Sequence, residues 1–123
     1  MTDYLTMAEV LAMHADQIER YGGSHGVRDP GLLEAALFRP QTGYYADLIE
    51  EAAALWESMS QNHPFIDGNK RTAFLAAYVF LRINGLRLAA DEVAATNHVL
   101  GLASGDATEA QFADWLRTHA SPC

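Results

Sequence analysis

The sequence predicts an all-α fold, a helical bundle around one buried central helix. Three observations carry this. Capping residues recur ahead of apolar stripes with helical spacing. The segment after Gly68 is apolar on every side, as a buried central helix must be. No stretch alternates apolar and polar residues as a half-buried strand would. The 123 residues fit one domain, 1–123. Half of them are hydrophobic, enough for a core without disulfides or a structural metal.

The elements follow in order. Thr6 and Glu9 form a capping box, and Val10, Leu11, His14, Ile18 and Tyr21 mark the apolar side of a first helix. Gly22 and Gly23 stop it. Asp29 is an N-cap with Pro30 at the first helical position, opening a short helix through Leu32, Leu33, Ala36 and Leu37. Arg39-Pro40 closes it, and Gln41–Tyr45 reads as a loop or short extended stretch. Asp47 with Glu50 starts a third helix striped by Leu48, Ala52, Leu55, Trp56 and Met59. Pro64 and Gly68 interrupt the pattern over Asn62–Asn69. The central helix runs from about Lys70 to Asn84, with Gly85 as its C-terminal cap. Two further helices are expected over Asp91–Ser104 and Thr108–His119, the second opened by Thr108 and Gln111. Glu50 and Glu51 read as a solvated face, Asp91 and Asp106 as caps, and the methionines as core filler.

Charge and cysteine usage narrow the function. The formal net charge is −8, opposite to that of most nucleic-acid binders, which gain affinity by neutralising phosphates. The apolar runs are far shorter than a membrane span. Met1–Thr6 lacks the basic cluster of a signal peptide. The single cysteine, Cys123, allows neither an intramolecular disulfide nor a thiolate zinc site. These features make the cytoplasm the expected compartment, with no nucleic-acid or membrane partner.

The chemistry concentrates in His63-Pro64-Phe65-Ile66-Asp67-Gly68-Asn69-Lys70-Arg71. This turn leads into the start of the buried helix, where exposed N–H groups and the dipole favour an anion. Gly68 lets backbone approach a phosphate closely. Lys70 and Arg71 oppose the helix dipole, a conflict that a bound anion removes. Histidine titrates near neutrality, so an unprotonated His63 could accept a proton from an attacking hydroxyl. Asp67 could ligate Mg²⁺ bridging phosphate oxygens. Other readings are weaker. As a structural turn, the segment would use Asp-Gly for the bend and Asn69 as a cap. A Walker-A loop needs Lys followed by Ser or Thr and an earlier glycine that is missing here. A metal hydrolase would join His63 to His14, His25, His98 or His119, yet no pair has i,i+4 spacing; a lone His14 on an apolar face reads as a satisfied core residue.

The segment resembles the Fic/Doc signature, His-Pro-Phe-x-(Asp/Glu)-Gly-Asn-Gly-Arg with a second arginine three residues on. His63, Pro64, Phe65, Asp67, Gly68, Asn69 and Arg71 match. Lys70 replaces the second glycine, and Phe74 stands where the second arginine would fall, as in the death-on-curing (Doc) branch. Tyr21-Gly22-Gly23, the run Gly26–Leu37, and Phe80–Gly85 are also similar to Doc. Leu75 departs from the branch, which can carry an asparagine nearby, and so removes one polar contact to a nucleotide.

The resemblance implies the following roles. His63 is the base, Asp67 organises metal and phosphates, Gly68 and Asn69 line the anion site, and Lys70 and Arg71 contact phosphate oxygens; Phe65 packs the loop. Asp67 and Arg71 join His63 as catalytic residues, with ATP and Mg²⁺ as cofactors. It implies a toxin of a toxin–antitoxin module that transfers phosphate from ATP to a Ser/Thr hydroxyl of a cytosolic protein. Elongation factor Tu is the first candidate, and the consequence would be inhibited translation. Fic-type adenylyl transfer is the alternative, and an inactive Fic-fold binding module the competing class. Gln41–Tyr45 occupies the place of a flap that aligns the target by strand addition. No Ser or Thr is followed four residues on by Glu, so the inhibitory motif (Ser/Thr)-x-x-x-Glu-(Gly/Asn) is missing. Restraint is therefore expected from an antitoxin whose disordered segment folds into a groove near the His63–Arg71 loop.

Overall fold

A computed structural model of the chain describes residues 1–88 and 108–123. Helix α1 spans Met7–Tyr21, α2 Pro30–Phe38, α3 Leu48–Asn62, α4 Asn69–Ile83 and α5 Glu109–His119. A 3₁₀ turn, Arg39–Thr42, follows α2 directly. The expected helix Asp91–Ser104, together with His98 and Asp106, lies outside the described residues. Among the described residues no helix is long and apolar enough to cross a membrane.

Local sequence sets the helix starts. In α1 the Thr6 hydroxyl accepts from the Glu9 N–H at 3.2 Å, and the Glu9 carboxylate accepts from the Thr6 N–H at 2.9 Å. Asp29 caps α2 through the Leu32 N–H, with Pro30 at its first position. Asp47 caps α3 through the Glu50 N–H. Thr108 and Gln111 form the capping box of α5. Each cap satisfies donors that have no partner within the helix and is worth about 1 kcal/mol.

The core lies between α3 and α4. Ala52, Ala53 and Ala54 of α3 and Ala73, Ala76 and Ala77 of α4 are buried; small side chains on both helices permit close packing. Larger residues close the layer: Val10 from α1, Leu33 and Leu37 from α2, and Phe112 and Leu116 from α5. Trp56 of α3 stacks on Phe112 at 4.3 Å between ring centroids.

Several expectations need correction. Helix α4 is not buried all round. Its alanine face, with Phe80 and Leu81, is fully buried, while Phe74 and Leu75 are half-buried and Tyr78 is exposed. Its central position rests on one face of small residues. Two short strands exist: β1 (Leu86–Leu88) pairs antiparallel with β2 (Ala120–Pro122), Arg87 opposite Ser121. Three residues are too few for alternation to register, and the partners are distant in sequence. Gln41 and Thr42 belong to the 3₁₀ turn, not to an extended stretch. Glu51 is not simply solvated, since it accepts a 2.6 Å hydrogen bond from the Tyr4 hydroxyl, and Glu50 lies 3.5 Å from the Arg117 guanidinium.

Candidate active site

The connection between α3 and α4 carries the expected site residues. Helix α3 ends at Asn62, and His63 turns the chain with φ 50° and ψ 59°. It is the one non-glycine with positive φ among the described residues, a conformation that costs about 1–2 kcal/mol for most side chains. The His63 side chain is exposed, whereas Pro64 and Phe65 are buried. The Phe65 ring stacks on His14 at 3.8 Å, nearly parallel.

Buried His14 also explains itself locally. Its Nε2 lies 2.7 Å from the Asp67 carbonyl oxygen, so this nitrogen carries the proton. It is a satisfied core residue that supports the loop from below. Two further described histidines have partners of their own. His25 pairs with Glu19, and His119 contacts the Trp115 carbonyl. Among the described residues no group of three or more His, Cys, Asp and Glu is placed to hold a metal ion.

Asn69 is the first residue of α4 and is buried. Its side-chain oxygen accepts from the Phe65 N–H at 2.9 Å, and its side-chain nitrogen donates to the Phe65 carbonyl at 3.0 Å. The side chain thus closes the loop onto itself. Asn69 is not the helix cap. That position belongs to Gly68, in the left-handed region at φ 72°. A side chain on Gly68 would also come within 3.0 Å of the Ile18 side chain.

Asp67 is exposed beside this cap. One carboxylate oxygen accepts from the Gly68 N–H at 2.8 Å and the other from the Ser24 N–H at 3.1 Å. These two backbone donors, Ser24 first, hold its carboxyl below the usual carboxylate range, with Arg71 adding to the effect. A β-carbon on Gly23, whose φ is 120°, would sit 2.6 Å from the Asp67 carboxylate. Only glycine leaves Asp67 room there.

The two basic residues stand at the start of α4. The Arg71 guanidinium donates to the Gly22 carbonyl at 3.0 Å and lies 5.6 Å from the centre of the Tyr21 ring. Lys70 is exposed. The structure therefore places His63, Asp67 and Gly68 in the α3–α4 connection and Lys70 and Arg71 in the first turn of α4. It assigns Asn69 to the loop's interior.

A second segment of this site was not legible in the sequence. Residues 22–29 run alongside the loop: Val27 bridges Phe65, the Ile66 N–H donates to the Gly26 carbonyl at 3.0 Å, and the Arg28 and Asp29 N–H groups both donate to the Pro64 carbonyl. The dense glycines over 22–26 were the available signal.

Arrangements of this kind, an exposed imidazole ahead of a cation-flanked helix start, can pair proton abstraction with anion binding. The Fic/DOC family profile matches residues 4–81. The chain is 50% identical over 96 residues to "Toxin Doc" of Mycolicibacterium smegmatis, covering 74% of this chain and 72% of that protein. It is 36% identical over 118 residues to "Protein kinase doc" of Escherichia phage P1, covering 93% of each. With most of its described helices inside the matched region, the chain belongs to the Fic/DOC family, in its Doc branch.

Proposed function

We propose that this chain is a Doc-type toxin that transfers the γ-phosphate of ATP to a Ser or Thr hydroxyl of a protein. The observation that supports it best is the turn itself: an exposed His63 in a fixed backbone conformation, followed within one loop by Asp67 and the cationic start of α4. The name of the phage relative, a protein kinase, favours phosphate over adenylate as the transferred group.

In this reading His63 takes the proton of the target hydroxyl as its oxygen bonds to the γ-phosphorus. The bond from that phosphorus to the bridging oxygen breaks, and ADP leaves. Lys70, Arg71 and the N–H groups at the start of α4 stabilise the phosphate charge. Gly68 keeps the backbone close to the nucleotide. A single exposed carboxylate, Asp67, fits Mg²⁺, which is commonly held by one or two carboxylates plus substrate phosphates. When bound, the ion would neutralise charge on the phosphates.

Elongation factor Tu is the first substrate to test, with inhibited translation as the cellular consequence. The partner expected to restrain the toxin is an antitoxin with a disordered segment that folds against the His63–Arg71 loop. The net charge of −8 suits a partner that carries basic residues. The test uses ATP labelled at the α or the γ position with purified elongation factor Tu and with bacterial lysate. Label arriving from γ-labelled ATP is expected. Label arriving only from the α position would show adenylyl transfer, and neither would favour a non-enzymatic binding module. Co-purification with the product of the neighbouring reading frame tests the antitoxin.

A further inference from the structure

We propose that Arg28 is a positioning residue that fixes the backbone of His63 and thereby aims its imidazole. The φ and ψ of a residue are set by the two peptide planes that flank it. For His63 these planes carry the Asn62 and His63 carbonyl oxygens. The Arg28 guanidinium grips both, its Nη2 donating to the Asn62 oxygen at 2.7 Å and its Nε donating to the His63 oxygen at 2.7 Å. The next carbonyl, Pro64, accepts from the Arg28 and Asp29 N–H groups at 2.8 and 3.0 Å. One short segment therefore holds three successive carbonyls, and with both planes fixed only the side-chain torsions of His63 stay free.

The energetics favour this arrangement. The last carbonyls of a helix lack partners within it, and a cation at the C-terminal end complements the dipole. Charge-assisted, two-pronged hydrogen bonds are stronger than neutral ones. They offset the cost of holding a non-glycine residue at φ 50°. The imidazole itself is exposed and makes no hydrogen bond to the described residues, so the backbone is what orients it. Lysine would not substitute fully, because an ammonium lacks the planar fork that spans two adjacent oxygens.

Arg28 is exposed and outside the hydrophobic core, so substitutions should leave the helices folded. The inference rests on His63 acting as the base, and the experiment separates the two claims. Wild type, Arg28→Met and Arg28→Lys are compared in steady-state transfer of γ-labelled phosphate. The same proteins, uniformly labelled with ¹³C and ¹⁵N, report the backbone chemical shifts of His63 and Pro64. Arg28→Met is expected to lower kcat about tenfold or more, since small misplacements of a reacting group are costly. KM for ATP should stay within about twofold, because the start of α4 is untouched. Arg28→Lys should fall between. The His63 shifts in Arg28→Met should move or broaden while those of α4 stay in place. Unchanged kcat with unchanged His63 shifts would overturn the proposal, as would a parallel change in kcat and KM accompanied by loss of helicity. Should wild type transfer no phosphate, the proposed activity fails, and the His63 shifts alone decide the role of Arg28: displaced shifts support it and unmoved shifts refute it.

Discussion

Replacing Asn69 with alanine should loosen the loop between α3 and α4. Asn69 is 8% exposed and Phe65, whose backbone its side chain brackets, is 1% exposed. Alanine removes both hydrogen bonds, at 2.9 and 3.0 Å, each worth about 1 kcal/mol net. It also leaves the Phe65 N–H and carbonyl buried without partners, which raises the cost to about 1–3 kcal/mol per group. The expected loss is about 2–6 kcal/mol, or a fall in Tm on the order of 10–20 °C for a chain of this size. Urea unfolding followed by far-ultraviolet circular dichroism measures it, with transfer assayed on the folded fraction. Asn69→Asp separates the two bonds. It keeps an acceptor for the Phe65 N–H but sets a second oxygen against the Phe65 carbonyl, so it should be no better than alanine at pH 7. It should improve relative to alanine as acid protonates it. An alanine variant within about 0.5 kcal/mol of wild type would refute the reasoning that this amide holds the loop closed.

Other outcomes follow from the same geometry. His63→Ala and His63→Gly should both abolish transfer while retaining nucleotide binding. Glycine should be the more stable of the two by about 1 kcal/mol in urea melts, because it meets no penalty at positive φ. Equal stabilities would argue that this backbone conformation is not held in solution. Asp67 has a folded-state pKa below its unfolded value, so the native state binds fewer protons there. Its contribution is complete above about pH 4 and is lost as pH falls through the ordinary carboxylate range toward the lower folded value. Stability of wild type relative to Asp67→Asn should decline over that interval; a difference that grows with acid would contradict the assignment. Gly23→Ala should destabilise by about 1–3 kcal/mol and weaken transfer, since its β-carbon meets the Asp67 carboxylate at 2.6 Å. A neutral effect in both assays would show that the 22–29 segment can move away from the loop.

Among the described residues, local signals in the sequence marked where four helices start and where α3 and α4 are separated. Thr6 with Glu9, Asp29 with Pro30, Asp47, and Thr108 with Gln111 each start a helix where expected, because capping involves residues within one turn of each other. His63, Asp67, Gly68, Lys70 and Arg71 are neighbours in the chain, so one short run carries them from the end of α3 to the first turn of α4. What remained hidden depends on contacts between distant residues. The β1–β2 pair joins residues 86–88 to 120–122. The Asp67 carboxylate finds the Ser24 N–H, and the Arg28 guanidinium finds the carbonyls at the end of α3. The apolar sequence of α4 indicated burial but not which side, and neighbouring alanines on α3 and α4 chose it. Asn69 shows the difference within one residue. The sequence shows a polar side chain there, and only packing chose its partners, the two buried backbone groups of Phe65. Capping and spacing act over a few residues and are written in the chain; which distant donor meets which carbonyl is decided when the helices pack.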